Sequence, residues 1–124
     1  MPDVGESMLW DSLPLFVYGT LRTGGGGEWR LRGAQRLGET TVRGVLYDLG
    51  RYPALVPGPE GEVHGELWSC PPETLSRLDT YEGVAEGLFD RVRLDSAAGP
   101  CWAYVAGERL RGRLAWATLV PSGR

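Results

Sequence analysis

An apolar run over residues 13–18 stops abruptly at Gly19-Thr20, and a polar, glycine-rich stretch follows. That pattern predicts a buried strand whose end opens into a tight turn. Gly19 permits a positive φ and a close backbone approach to a ligand, and successive N–H groups in such a turn form a concavity suited to an anion. In residues 28–37, Trp29, Leu31, Ala34 and Leu37 are spaced to line one side of a short helix, which Gly33 weakens. Residues 40–49 are β-branched and aromatic with imperfect alternation and predict a strand. Residues 52–56 read as a short extended piece, punctuated by Pro57, Gly58 and Pro59. The alternation is cleaner over 62–69: Val63, Gly65 and Leu67 share one face, and His64, Glu66 and Trp68 the other.

Pro71-Pro72-Glu73 then opens a helix, because proline is tolerated in a first turn and an acid complements the helix N-terminus. Leu75, Leu78 and Glu82 fall at i, i+3 and i+7 on one face, and Gly83 is a natural stop. Further strands are expected at 89–95, 102–106 and 114–120, the first two joined by the Ala98-Gly99-Pro100 turn. The pattern holds about six or seven short strands and one or two short helices, without regular alternation between them. It predicts an α+β fold built as a small mixed β-barrel, not a doubly wound sheet. Residues 1–12 read as a flexible N-terminal lead-in. Residues 13–124 read as one domain, the size expected for a single core.

Composition narrows the chemistry. The 19 glycines and 9 prolines are spread along the chain, which favours short strands and turns over disorder. The net charge of −3 argues against a general nucleic-acid role. All thirteen cationic side chains are arginine. The absence of lysine excludes Schiff-base catalysis and any lysine-dependent phosphate loop. No apolar run approaches the ~20 residues of a membrane span, and residues 1–7 lack the layout of a signal peptide. A cytoplasmic protein is the expectation. Cys70, Cys101 and the single His64 fit no metal-ligand spacing, so no metal is expected and the cysteines read as free thiols.

Among individual residues, Glu82 is the sharpest candidate. A carboxylate sharing its direction with Leu75 and Leu78 is costly to ionise, so its pKa should rise toward that of a general acid or base at neutral pH. The competing reading places Glu82 past the helix end, in solvent. Gly24–Gly27 satisfies neither the phosphate-loop nor the dinucleotide spacing and reads as a surface loop. His64 reads as a strand histidine without a catalytic partner. The arginines at 30/32/36 and 109/111/113 read as solvated faces, and the tryptophans and tyrosines as mostly core.

Taken in order, several motifs are more specific than any one of them. They are Val17-Tyr18-Gly19-Thr20-Leu21-Arg22, Gly44-Val45-Leu46-Tyr47-Asp48-Leu49-Gly50 with Tyr52-Pro53-Ala54, Val63-His64-Gly65-Glu66-Leu67-Trp68, Leu78-Asp79-Thr80-Tyr81-Glu82-Gly83 and Phe89-Asp90-Arg91. Together they resemble the gamma-glutamylcyclotransferase-like family, specifically its small gamma-glutamylamine cyclotransferase type. The resemblance implies a small mixed barrel with a central cavity. It implies that Tyr18, Gly19, Thr20 and Leu21 hold a gamma-glutamyl moiety largely through backbone groups. It also implies that Glu82 is the catalytic acid/base, releasing 5-oxoproline from a gamma-glutamyl amine or peptide without metal or cofactor. Tyr104 is a further candidate to add a hydroxyl to the cavity. Phe89 stands where relatives often carry tyrosine. The implied partner is a small-molecule substrate, with no nucleic acid or membrane, on a monomer or weak homodimer. The alternatives are a non-catalytic small-molecule-binding barrel of the same fold and an interaction module using arginine and exposed aromatics.

Overall fold

The structure, a computed structural model, describes residues 13–19, 28–50, 52–114 and 118–120. In chain order its elements are β1 (Leu15–Val17), a 3-10 turn (Glu28–Leu31), β2 (Gln35–Asp48), β3 (Pro53–Ser69), α1 (Pro72–Tyr81), β4 (Phe89–Ser96), β5 (Gly99–Ala106), α2 (Glu108–Arg111) and β6 (Thr118–Val120). β2 and β3 form a long antiparallel ribbon. β1 lies between β3, to which it is antiparallel, and β5, to which it is parallel. β4 pairs with β5 and reaches β2 at Val42↔Ser96, reinforced by the Ala97 amide donating to the Thr41 carbonyl at 2.9 Å. The ring β3-β1-β5-β4-β2 therefore closes, giving a five-stranded mixed barrel with β6 added on β2.

Three details depart from the sequence reading. Residues 28–37 are not a helix: the 3-10 turn ends at Leu31 and β2 begins at Gln35. The backbone groups of β3 need partners, and residues 35–40 supply them; that requirement outweighs a weak helical spacing interrupted by Gly33. The two pieces expected at 52–56 and 62–69 are one strand. The ribbon register jumps from Gly44↔Pro57 to Arg43↔Glu62, so Gly58–Gly61 form an insertion in β3 while pairing resumes on either side. Of the strand expected over 114–120, Thr118–Val120 is strand and residues 115–117 lie outside the described residues. The short α2 has no counterpart in the sequence reading. The proposed lead-in, residues 1–12, lies outside the described residues.

The apolar run of β1 has a simple cause: both its faces are buried. Phe16 points into the barrel among Val63, Leu67, Cys101, Ala103 and Val105. Leu15 and Val17 face outward onto Leu75 and Leu78 of α1 and Leu110 of α2. Residues on opposite faces of one strand thus belong to two separate cores, and β1 is the wall between them. Cys70 is half-buried and Cys101 buried, both as free thiols; burial pushes each thiol up to about 11, so neither is a ready nucleophile. No helix among the described residues is long and apolar enough to cross a membrane.

Candidate active site

The C-terminal end of α1 is built to hold one carboxylate still. Leu75 and Leu78 anchor the helix in the outer core at 7% and 1% exposure. Glu82 is the cap residue, its amide donating to the Leu78 carbonyl at 2.8 Å. Gly83 follows at φ 66°. Its amide donates to the Thr80 carbonyl and the Val84 amide to the Asp79 carbonyl, at 3.1 and 3.0 Å. These are the paired bonds of a Schellman stop, which needs a left-handed residue after the cap. A side chain on Gly83 would also strike Leu88. The chain therefore turns at Gly83, and Leu88 returns to the same cavity as Glu82.

The opposite wall comes from the end of β1. The Tyr18 hydroxyl accepts from the Leu55 amide at 3.1 Å and donates to the Tyr104 carbonyl at 2.5 Å, tying β1 to β3 and β5. Gly19 has φ 66° and packs so closely on Pro53 that a Cβ would lie 2.9 Å from its ring. Tyr104 donates its hydroxyl to Asp79 Oδ1 at 2.6 Å. Asp79 is also gripped by Arg91, with Nε–Oδ1 at 2.8 Å and Nη2–Oδ2 at 3.2 Å. The Arg91 guanidinium lies over the Trp102 ring, 4.6 Å from its centroid. This network pins α1, three residues before Glu82, to β4 and β5. Replacing Asp79 with alanine removes these charge-assisted bonds; the expected loss is about 2 kcal/mol, read as a lower denaturant midpoint.

Between these walls lies a cavity of about 200 Å³. Among the described residues that line it, Glu82 is the one carboxylate, and Tyr18, Tyr52, Tyr81, Tyr104 and Phe89 are aromatic walls. Burial pushes the Glu82 carboxyl up to about 7, and the positive charge of Arg30 only partly offsets this. Tyr18 is raised above its ordinary range chiefly by burial, opposed by the Leu55 amide and aided by the nearby Glu82 charge. Tyr104 is raised by burial first, then by its bond to Asp79. Both tyrosines therefore stay protonated and act as donors. Of these three groups, the one that changes charge near neutral pH is Glu82.

The structure brings Tyr18, Glu82 and Tyr104 to one cavity, beside Gly19. Thr20, Leu21 and Gly24–Gly27 lie outside the described residues. Tyr104 lines the cavity, with its hydroxyl engaged by Asp79. Tyr52, Pro53, Tyr81 and Leu88 are lining residues that the sequence reading did not single out as a site. The Tyr52-Pro53 pair, at the turn between β2 and β3, was the available signal. Phe89 packs tilted on Tyr52 with ring centroids 5.7 Å apart, so this position offers apolar surface only. His64 is half exposed, 3.4 Å from Glu62, and is not among the residues that line the cavity. Arg36 is not merely solvated: it bonds the buried Glu66 at 3.1 Å, which also accepts from Trp68 Nε1 at 3.2 Å.

Comparison with known proteins places the whole barrel in one group. The family described as "Gamma-glutamyl cyclotransferase, AIG2-like" matches residues 15–123. The Escherichia coli "Gamma-glutamylcyclotransferase family protein YtfP" is 38% identical over 92 residues, covering 73% of this chain and 80% of that one. A solution structure of ytfP from Escherichia coli superposes with a TM-score of 0.66 at 34% identity, covering 90% of this chain and 94% of the other. An AIG2-like protein of Mus musculus superposes with a TM-score of 0.76 over 91% and 88% of the two chains; at 20% identity it speaks for the fold alone.

Proposed function

The chain belongs to the gamma-glutamyl cyclotransferase, AIG2-like family, and from that premise we propose that it cyclises a gamma-glutamyl amine or peptide, releasing 5-oxoproline and the free amine. The observation that carries this reading is one carboxylate, raised to about 7, in a tyrosine-walled cavity shared with the end of β1. An intramolecular reaction needs little more. The substrate already contains both reacting groups, so the protein has only to select a folded conformer and move protons.

In the proposed cycle the substrate's α-nitrogen attacks its own γ-carbonyl carbon. Two protons leave that nitrogen, and two arrive on the departing nitrogen, which leaves as an ammonium when the C–N bond breaks. Glu82 carries them one at a time, as base toward the α-ammonium and as acid toward the leaving amine. The backbone of Gly19, Thr20 and Leu21 is assigned the α-carboxylate or the developing oxyanion, a role suited to a glycine turn and to a chain without lysine. Tyr18 fixes the origin of that turn through its bonds to β3 and β5. Tyr104 forms wall, its hydroxyl holding Asp79 and, through it, the end of α1.

The test is direct. Incubated with a panel of gamma-glutamyl amines and dipeptides, the protein is expected to produce 5-oxoproline, detected chromatographically. Glu82 must be ionised to accept the first proton, so kcat/KM is expected to rise with pH and to break near pH 7. A passive binding barrel gives no product from any member of the panel, and a profile without that break removes Glu82 from the base role.

A further inference from the structure

A second concavity of about 240 Å³ adjoins the catalytic cavity, and Tyr81 lines both. Its apolar floor is Trp29, Leu78 and Tyr81; its polar side is three arginines, Arg30, Arg32 and Arg77. Among the described residues no acidic side chain lines it. Three guanidiniums around one groove run against the overall net charge of −3. Among the described residues none of the three is in a salt bridge.

Arg30 and Arg77 are held in place by contacts that consume little of their hydrogen-bonding capacity. Arg30 lies between two rings, its guanidinium carbon 3.8 Å from the Tyr81 centroid and 4.2 Å from that of Trp29. Stacking fixes a guanidinium in place while leaving its in-plane N–H groups available. Arg77 is steadied through Nη2, which donates to the Arg32 carbonyl at 3.0 Å and to Thr74 Oγ1 at 3.4 Å. Arg30 is also close enough to Glu82 to act on its charge. The groove therefore neighbours the reacting carboxylate: Tyr81 is common to both concavities, and the Arg30 charge acts on Glu82.

We propose that this arginine-lined groove is the subsite for the departing amine and that it selects leaving groups bearing a free carboxylate, so that gamma-glutamyl amino acids or peptides are preferred over neutral or cationic gamma-glutamyl amines. The inference rests on the cyclotransferase reading above and deepens it. A leaving group with an apolar body and an anionic end matches both the floor and the rim. A planar carboxylate is the anion that a preorganised guanidinium binds with two parallel bonds.

The experiment compares gamma-glutamyl-alanine with gamma-glutamyl-alaninamide, two compounds of nearly the same shape that differ in that one charge. Wild-type protein is expected to favour the acid by about tenfold in kcat/KM, the size of one charge-assisted contact, with the difference carried by KM. Added salt should erode that preference. In Arg30→Gln the preference should fall toward one, and in Arg77→Gln it should be reduced, so a folding defect in either variant leaves the other as the test. Equal turnover of acid and amide by the wild type, or an undiminished preference in both variants, overturns the subsite while leaving the cyclotransferase reading intact. Release of 5-oxoproline from neither compound overturns that reading and the subsite with it.

Discussion

Glu82→Gln is expected to lower the rate of 5-oxoproline release on the order of a thousandfold, the usual scale for removing a positioned acid/base. Glutamine keeps the shape and the cap position on α1 but cannot take a proton from the α-ammonium. A loss of activity alone would not separate lost chemistry from lost structure; the stability of the same variant does. The wild-type carboxyl is raised from 4.5 to about 7 by burial. Between those values the folded state holds a proton that the unfolded state has released, so wild-type stability falls as pH rises from about 4.5 to about 7 and then levels. Glutamine has no charge to bury. The variant is expected to be as stable as the wild type at pH 5 and more stable at pH 8, read from thermal or denaturant midpoints. An inactive variant that is also less stable at pH 8 would assign Glu82 a structural role instead.

Gly65→Ala is expected to cost about 3 kcal/mol, the upper end for overpacking a core. Gly65 lies on β3 beside β1, and a Cβ there would overlap the Val17 carbonyl oxygen and sit 2.6 Å from the Phe16 ring. The backbone oxygen cannot rotate away as a side chain would, so β1 must move. Because Val17 precedes Tyr18, the displacement is directed at the cavity that holds Glu82, and reduced activity should accompany the lower midpoint. A variant with wild-type midpoint and wild-type activity would mean that β1 and β3 do not approach as described.

The helix and its acid were legible because several local signals agreed. Two prolines and Glu73 open α1, Leu75 and Leu78 mark its buried face, and Gly83 closes it. The phase they set carried Glu82 to the cavity rather than to solvent. β1 was legible for a different reason: a run buried on both faces has no polar position to interrupt it. Other parts were decided by distant partners. Nothing near Gln35 announces a strand, and Leu37 remains 55% exposed within it; its pairing with β3 makes it one. Pro57-Gly58-Pro59 looks like the end of a strand, yet pairing with β2 carries β3 past it with a register jump. Asp79 and Arg91 stand in two of the ordered motifs, but no local pattern pairs them with each other or with Tyr104, because the three come from α1, β4 and β5 and only the closed barrel brings them together. For the same reason Tyr104 was expected to offer its hydroxyl to the cavity, whereas the structure gives that hydroxyl to Asp79. Arg30 read as one of a solvated set until the fold stacked it on Tyr81.

The proposed reaction is intramolecular, and its signature is the fate of the γ-carbonyl carbon. In cyclisation that carbon is attacked by the substrate's own nitrogen; in hydrolysis it is attacked by water. The most direct measurement is therefore mass spectrometry of the products formed from a gamma-glutamyl dipeptide in water enriched with heavy oxygen. Cyclisation at Glu82 is expected to yield 5-oxoproline carrying no heavy oxygen from the solvent. Free glutamate labelled in its γ-carboxylate would instead show attack by water and contradict the account.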